Sequence, residues 1–446
     1  MPETLFALPE ENRDPVSHGQ GKPRVVTANR NQVEMRVASL DELLPQDDRV
    51  RMVWAAVQEY DLSPFYEAIE AVEGEPGRPA TDPRLLFALW LNATLDGVGS
   101  ARELARLCER DLRYQWLLGG VTVNYHTLAD FRVQNEEVLD GILTRSVAAL
   151  LSEGIVELER TAQDGVRIRA SAGASSFRRE VSLERRLEEA EAVVQQLKAQ
   201  GEGSEEQGGT PRQQAARERH ARERVERLKR ALQEVEKVEA KKAKNRESKR
   251  RNRPARASTS DPEARVMKMA DGGFRPAYNG QLNVDMPSGI IVGVDLSNEA
   301  DQRLLVPMIE QTEQRYARLP HEHYVDGGFR SNAGIAALEK KGIAVYAPIP
   351  AQYNKNSPRK AEEVLPSDSP EVAAWKRRMA TEEAKEQYRS RAAIVEWANA
   401  MLRNRGLYRL LVRSMRKARA VLLWFVLAHN LLQAMNLRQK LQPVAA

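Results

Sequence analysis

Hydrophobic residues recur at different spacings along this chain, and each change of spacing marks a boundary. Residues 1–45 are polar without a clear period, which predicts a loosely ordered N-terminal segment. From 46 to 152 apolar residues recur with helical spacing, in segments that open on N-cap signals. Ser100 and Glu103, for example, form the S-x-x-E pair of a capping box. We therefore predict a helical domain over residues 46–152.

Strand-like alternation of apolar and polar residues follows. IVELERTAQDGVRIRAS (155–171) predicts a first strand, and AYNGQLNVDM (277–286) with GIIVGVDLS (289–297) predicts a hairpin around a Pro-Ser-Gly turn. A helix, the strand HYVDGGF (323–329), a second helix, another strand, a long helix and an apolar last helix come next. This order predicts an α/β (α+β) fold, a mixed sheet flanked by helices, and resembles the order of elements in RNase H-like domains. The pattern assigns no role to residues 351–385.

A long charged insert interrupts the strand pattern between the first and second strands. Its two halves carry apolar residues at alternating steps of three and four, on either side of the Gly-rich stretch 201–211. These residues are Leu183, Leu187, Ala190, Val194 and Leu197 in the first half, and Val225, Leu228, Leu232 and Val235 in the second. We predict an antiparallel helical hairpin (coiled coil) over 178–262.

The end of this insert is strongly basic. Residues 241–256 carry nine basic residues and one acid, with Lys249, Arg250 and Arg251 at the centre. Such a run is attracted to DNA phosphates, so we predict a DNA contact here. A solvated tether without a partner is the alternative interpretation.

Arginines recur on the predicted exposed faces of the N-terminal helices. Arg102, Arg106 and Arg132 belong to short helices joined by tight turns, which is typical of helix-turn-helix DNA-binding modules. We therefore predict that the domain over 46–152 binds DNA. A plain helical bundle that supports the next domain is the alternative.

Composition narrows the class of protein. The 446 residues carry a formal net charge of +5, which mildly favours a polyanionic partner. Cys108 is the only cysteine in the sequence, which rules out an intrachain disulfide and a zinc site built from cysteines. The most apolar stretch, 420–435, is short for a membrane span and contains His429 and Asn430, so we predict a buried helix. Since the N-terminus has no signal-peptide pattern, we expect a cytoplasmic protein without a membrane partner.

Three carboxylates occupy positions suited to phosphoryl transfer. Asp164 lies in the predicted first strand, Asp326 ends the strand HYVDGGF, and Glu396 lies on the late long helix. In an RNase H-like fold these positions converge at one end of the sheet. Carboxylates there hold two Mg²⁺ ions, which stabilise both oxygens of an in-line displacement. Gly165, and the glycines at 327 and 328, would let a DNA backbone approach the acids.

Each acid also has an ordinary interpretation, as a surface strand residue, a turn former or one charge of an amphipathic helix. Three further aspartates compete for the same role. Asp285 and Asp295 lie at strand ends, and we expect them to cap the hairpin or face solvent. Asp271, which two glycines follow, is the substitute if Asp164 fails.

Six segments of the chain together resemble one known family. They are DGVRIRASAG, AYNGQLNVD, GIIVGVDLSNEADQ, VDGGF, YRSRAAIVEWANAMLRNRG and LAHNLLQAM. They are similar to bacterial insertion-sequence transposases of the DDE class, over residues 80–440 apart from the insert. The resemblance implies an RNase H-like catalytic domain over 153–177 and 263–446.

The resemblance also implies roles for individual residues. Asp164, Asp326 and Glu396 would be the metal-binding catalytic triad, with Mg²⁺ as the cofactor and Mn²⁺ as a substitute. Relatives carry a tyrosine, an arginine and a further basic residue along the glutamate helix.

Tyr388, Arg391 and Arg403 match these three positions and are implied to contact DNA. Four residues separate Arg391 from Glu396, where some relatives have three, and arginine stands at 403 where lysine is common. Helical geometry places Arg403 two turns beyond Glu396 on the same face, and Arg391 about 140° away around the helix.

The expected function is that of a DDE transposase. It would cut DNA at transposon ends with the help of metal ions and transfer the 3′-OH into target DNA. Its partners would be double-stranded DNA, as terminal inverted repeats and as target, and a second copy of the chain in a homodimer. It would act at the bacterial nucleoid. The alternatives are a catalytically inactive DNA-binding repressor or domesticated relative, and an RNase H-like nuclease without strand transfer.

Overall fold

The protein consists of helices packed on both sides of a mixed sheet. The computed structural model describes residues 31, 35, 37–72, 74, 79–201, 210–244, 254–349 and 363–441. Its helices there are α1 (Leu40–Leu43), α2 (Arg49–Glu59), α3 (Ser63–Glu67), α4 (Pro83–Leu95), α5 (Ala101–Arg110), α6 (Leu112–Leu118), α7 (Tyr125–Gln134), α8 (Glu136–Ser152), α9 (Glu180–Gly201), α10 (Pro211–Lys244), α11 (Leu305–Tyr316), α12 (Asn332–Lys340), α13 (Pro370–Ala380), α14 (Glu382–Asn404) and α15 (Met415–Leu441). Its strands there are β1 (Arg160–Arg169), β2 (Phe177–Arg178), β3 (Ala257–Ser258), β4 (Arg265–Lys268), β5 (Phe274–Asp285), β6 (Ile291–Ser297), β7 (Glu322–Val325) and β8 (Ala344–Tyr346).

The main sheet has the strand order of an RNase H-like domain. β1 lies at its centre, antiparallel to β5 on one side and parallel to β7 on the other. β6 pairs with the far edge of β5, and β8 extends the sheet beyond β7 in the parallel sense. The sequence patterns for these five strands are confirmed. β4, which pairs with the start of β5, is an addition that no sequence pattern predicted.

Both faces of the central strands are buried. Tyr278, Leu282 and Val284 of β5 face an apolar core, as period-two alternation requires. Asn279 and Gln281, which alternate with them, are also fully buried. Since buried polar groups need hydrogen-bond partners, this second face must carry a polar network.

α15 joins the N-terminal helices to the sheet in one hydrophobic core. The indole N–H of Trp424 donates to the carbonyl of Arg132 at 3.0 Å, and its ring lies 5.0 Å from that of Phe87. On the sheet side, the Asn430 amide exchanges two hydrogen bonds with the backbone of Ile291, at 2.9 and 2.8 Å. The helix is long and apolar enough to cross a membrane, but 72% of its apolar window is buried in the protein. The predicted buried helix is therefore confirmed.

A second core lies between the sheet and helices α11 to α14. It includes α13, which falls in the stretch 351–385 that the sequence pattern left unassigned. Ser369 caps this helix, since its side chain accepts from the N–H of Val372. Trp375 is buried in the core, and its indole N–H donates to the carbonyl of Ala347 at 3.2 Å.

The predicted helical hairpin is present as α9 and α10. Along the chain it follows β1 and precedes the other strands of the main sheet. It has a core of its own, whose buried members include Leu183, Ala190, Val225 and Leu228. β2 and β3 pair in a short ribbon at its base. Most of its basic end, residues 245–253, lies outside the described residues. The predicted DNA contacts Lys249, Arg250 and Arg251 belong to this part.

Candidate active site

Two of the three predicted acids are neighbours beside the carboxyl end of β7. β1 and β7 are parallel with Gln163 opposite Val325, so the next residues, Asp164 and Asp326, are neighbours at the point where β7 ends, while β1 continues to Arg169. Asp326 also caps the following turn, since its Oδ1 accepts from the N–H of Gly328 at 2.7 Å. The local sequence therefore fixes both carboxylates on adjacent backbone.

Asp164 is held by two side chains of α14. Its Oδ1 lies 3.2 Å from Nη2 of Arg391, and its Oδ2 accepts from Nδ2 of Asn399 at 2.8 Å. Burial raises the pKa of Asp164; the Arg391 charge opposes this shift, and the neighbouring charge of Asp326 adds to it. The site therefore holds a partly desolvated carboxylate whose negative charge is balanced by the Arg391 guanidinium.

α14 presents Tyr388, Arg391 and Asn399 on the face that packs against the sheet. Tyr388 is half-buried, and burial raises the pKa of its hydroxyl, with Arg391 opposing and Asp326 adding to the shift. Glu396 lies about 60° from Asn399 around the helix, and its side chain is exposed.

The structure thus brings Asp164 and Asp326 together, and it leaves Glu396 on the exposed flank of α14. In the part of the chain that the structure describes, no three Asp, Glu, His or Cys side chains form a group that could hold a metal ion. The donor chemistry of Asp164 and Asp326 nevertheless fits a divalent cation, because two adjacent carboxylates offer hard oxygen ligands. Asp164 and Asp326 are the residues that would hold it.

Asp301 is a further carboxylate at this place that the sequence analysis missed. Nη2 of Arg167 donates to its Oδ2 at 2.6 Å, and the amides of Asn279 and Gln281 donate to its Oδ1 at 2.7 and 3.0 Å. The negative charge of Asp301 also raises the pKa of Asp164. The alternating polar residues of AYNGQLN were the available signal, but alternation alone indicates a solvent-facing side.

The glycines beside the acids serve the protein's own packing. A Cβ on Gly165 would lie 2.7 Å from Oδ1 of Asp301, and a Cβ on Gly328 would lie 2.9 Å from Oδ1 of Asp326. The prediction that Gly165 makes room for DNA is therefore wrong, because side chains fill that space. Gly327 differs, since its nearest neighbour would be Pro348 at 3.6 Å.

The three arginines predicted on exposed N-terminal faces have different surroundings. Arg102 is exposed, with its guanidinium 5.1 Å from the ring centre of Tyr125, and Arg106 is exposed and ion-paired. Arg132 is only 5% exposed, lies over the Trp90 ring at 4.5 Å and donates to the carbonyl of Gly99. Burial lowers its pKa to about 10. The expectation that Arg132 faces solvent is wrong, because the cation covers a core indole.

Arg391 and Arg403 also differ in exposure. The Arg391 side chain is only 10% exposed, so it reaches the acid site from inside the protein, whereas Arg403 is half-buried.

The competing aspartates all have structural partners. Asp285 is buried and accepts from the backbone N–H groups of Leu158 and Ser288, as expected of a cap. Asp295 pairs with Arg419 at 3.3 Å. Asp271 pairs with Arg275 on the surface, at 2.7 Å.

Two family models match the chain. A transposase domain model (DUF772) matches residues 38–134, and a transposase DDE domain model matches residues 249–431. The second range contains Asp326 and Glu396, whereas Asp164 falls in the gap between the two matches. No curated protein and no solved structure matches the chain. The two matches together cover more than half of the sequence, and the chain belongs to the DDE transposases of insertion sequences.

Proposed function

We propose that this transposase cuts DNA at the ends of its element and transfers the freed 3′-OH into target DNA. Membership of the family makes it a nucleic-acid phosphoryl-transfer enzyme that uses divalent metal ions. The adjacency of Asp164, within β1, and Asp326, directly after the parallel strand β7, is the observation that carries the proposal. Glu396 would complete the triad from α14.

The residues around the acids have separable tasks. Asp164 and Asp326 would hold Mg²⁺, or Mn²⁺ in its place, which activates the attacking oxygen and stabilises the leaving oxygen. Asp326 is positioned by its own cap on Gly328. Arg391 balances the charge of Asp164, and its guanidinium would bind a phosphate of the DNA when a metal ion takes over that balance.

DNA would contact the surface in at least two places. The exposed Arg102 and Arg106 on α5 would bind terminal repeats, as predicted for the N-terminal helices. A cleft of about 670 Å³ between α10 and the start of α15 is a second candidate. Six basic and four acidic residues line it, with Arg219 and Arg230 on one wall and Arg413 and Lys417 on the other. A homodimer would bring two such ends together.

Cleavage of a plasmid that carries the element's own ends tests the proposal. Asp326→Asn should lower the metal-dependent cleavage rate by about 100-fold or more, because several kcal/mol of transition-state stabilisation are lost. Asp271→Asn is the matched control. Asp271 also precedes two glycines and caps the N–H of the second at 3.0 Å, but it is exposed on the surface. Its variant should cut like the wild type.

The remaining outcomes separate the alternatives. A wild-type protein that binds the ends but does not cut them with any metal ion would be a repressor or a domesticated relative. A protein that cuts without joining the 3′-OH to a second DNA would be a nuclease. Equal cleavage by Asp326→Asn and the wild type would refute the assignment of the site.

A further inference from the structure

Asn399 carries an unsatisfied oxygen beside the acid site. Its side chain is 8% exposed, and its Nδ2 donates to Oδ2 of Asp164 at 2.8 Å. The Oδ1 of the same amide is buried and has no hydrogen-bond partner. Because Oδ1 and Nδ2 are bonded to the same carbon atom, the unpaired oxygen belongs to the amide group that contacts Asp164.

A purely structural role does not account for this oxygen. Donating to Asp164 requires only an N–H group, and leaving a buried carbonyl oxygen unpaired costs about 1–3 kcal/mol. The orientation of the amide is fixed, since turning it over would place Oδ1 against a carboxylate oxygen. The hydrogen bond to Asp164 therefore determines which atom of the amide is left unpaired.

Amide carbonyl oxygens are regular ligands of hard divalent cations. With a cation on Asp164, that carboxylate no longer needs the N–H of Asn399. Rotation about the terminal torsion of Asn399, which has a broad energy profile, then exchanges nitrogen for oxygen at nearly the same position. A bound cation would thus take Oδ1 as a ligand, and the N–H group would move to the place that Oδ1 now occupies.

We propose that Asn399 is a further residue of the metal site, supplying its Oδ1 as a ligand to the cation that Asp164 and Asp326 hold. The inference rests on the proposed function of those two acids. It adds a neutral ligand on the buried face of α14, one turn beyond Glu396. Asn92 and Asn283 also have a buried unpaired Oδ1, but neither amide bonds to an acid of this site.

Mn²⁺ binding by the full-length protein without DNA tests this inference apart from catalysis, by electron paramagnetic resonance of the free ion. Asn399→Ala should weaken Mn²⁺ affinity by about 10-fold or more. Asn399→Leu, which keeps the side-chain volume, should do the same if the alanine variant does not fold. Asn283→Ala is the matched control and should bind Mn²⁺ like the wild type.

Asn399→Asp discriminates a ligand from a mere donor. A carboxylate cannot donate to Asp164, so a donor role predicts weaker Mn²⁺ binding than in Asn399→Ala. A ligand role predicts affinity equal to or above that of the wild type, because the new carboxylate offers an oxygen.

The proposed function and the further inference fail in different ways. If Asp164→Asn loses Mn²⁺ binding while Asn399→Ala keeps it, the role of Asn399 is refuted and the site stands. If Asp164→Asn binds Mn²⁺ like the wild type, the site itself is wrong. If Asp164→Asn and Asn399→Ala both bind Mn²⁺ more weakly while Asn399→Asp binds it tightly, the site and the role of Asn399 are both supported.

Discussion

At the scale of single residues, the space around Gly165 is fully occupied. A methyl group there would lie 2.7 to 2.8 Å from polar atoms of Asp301, Asn279 and Gln281. These atoms belong to one hydrogen-bonded network, so they cannot all move aside without losing partners.

Gly165→Ala should therefore lower the free energy of unfolding by about 1–3 kcal/mol, as overpacking of a filled site does. It should also lower the cleavage rate, since Asp164 precedes it directly. Gly327→Ala is the control, because its methyl group would meet only Pro348 at an ordinary 3.6 Å. Urea unfolding measures both variants, and equal stability of Gly165→Ala and the wild type would contradict the packing argument.

Some residues of the site could be predicted from the sequence around them, and others could not. Asp164 and Asp326 could be predicted because Asp164 lies within one recognisable strand and Asp326 directly follows another, and parallel pairing makes the two residues neighbours. Asn399 and Asp301 could not, because their roles depend on partners 235 and 134 residues away along the chain. The burial of Arg132 was missed for the same reason, since the Trp90 ring that it covers belongs to a different helix.

The buried His429 should make the free energy of unfolding depend on pH. Burial lowers its pKa from 6.5 to about 4, and its Nε2 donates to the carbonyl of Gly289 at 3.0 Å. A lowered histidine pKa stabilises the fold above pH 6.5, and this contribution is lost as the pH falls towards 4, because the unfolded chain takes up the proton first.

Between pH 8 and pH 5, His429 should account for about 2 kcal/mol of lost unfolding free energy. His429→Gln keeps an N–H donor without titrating, so its stability should fall less over that range. Urea unfolding at the two pH values checks this, and parallel losses in both proteins would exclude the histidine as the cause. His323, which burial also shifts downward to about 3, remains in both proteins.

At the scale of elements, the hairpin of α9 and α10 has its own hydrophobic core. Among the described residues, charged contacts between Glu234 and Arg265 and between Lys241 and Glu299 tie it to the rest of the protein. The paired strands β2 and β3 bring its two ends together, so a short turn could replace it.

Replacing residues 180–255 by Asn-Gly should leave a folded protein with a cooperative thermal transition, because the main sheet keeps its cores. Circular dichroism should show the loss of helix without loss of the near-ultraviolet signal. Native mass before and after the deletion tests whether the hairpin mediates dimerisation. An aggregated product would show that the hairpin is required for folding.

The basic residues that line the cleft between α10 and α15 are expected to contribute to DNA affinity. The double variant Arg219→Glu with Arg413→Glu should bind DNA more weakly than the wild type. The slope of log affinity against log salt concentration should become shallower by about 0.9 for each phosphate that the protein no longer neutralises. Arg185→Glu with Arg224→Glu changes the net charge equally outside the cleft. Fluorescence anisotropy over a salt series should show the smaller effect for this control. Equal effects would indicate general charge attraction.

The elements themselves could be predicted where their pattern was long and regular. The helical periods of α9, α10 and α15 and the alternation of β1, β5 and β6 were sufficient. The short edge strand β4 has only four residues, so its alternation is too brief to recognise. α13 lies in a polar stretch, and its assignment depends on Trp375 packing into a core from elsewhere in the chain.

At the scale of the whole molecule, α15 lies in one core with both the N-terminal helices and the sheet. The boundary predicted at residue 152 separates patterns of secondary structure, and hydrophobic packing continues across it. Residues 46–152 produced alone would expose the surface that Phe87 and Phe131 bury against Trp424.

Trp424→Ala should therefore destabilise both regions together, by about 3–5 kcal/mol, in a single lowered transition. Leu228→Ala in the hairpin core is the comparison, and its effect should be confined to the hairpin. Hydrogen exchange, measured separately for each peptide of the chain, distinguishes the effects of these two variants. Faster exchange limited to residues 46–152 in Trp424→Ala would show two independent folding units.

The position of α15 also bears on how copies of the gene decay. The segment that completes the core shared by the N-terminal helices and the sheet is translated after every other described element. A ribosome that stops at any premature codon before Met415 releases a chain with bare apolar surfaces, which cellular proteases remove. A damaged copy of the element would then leave no stable fragment to compete with intact transposase for the same DNA ends.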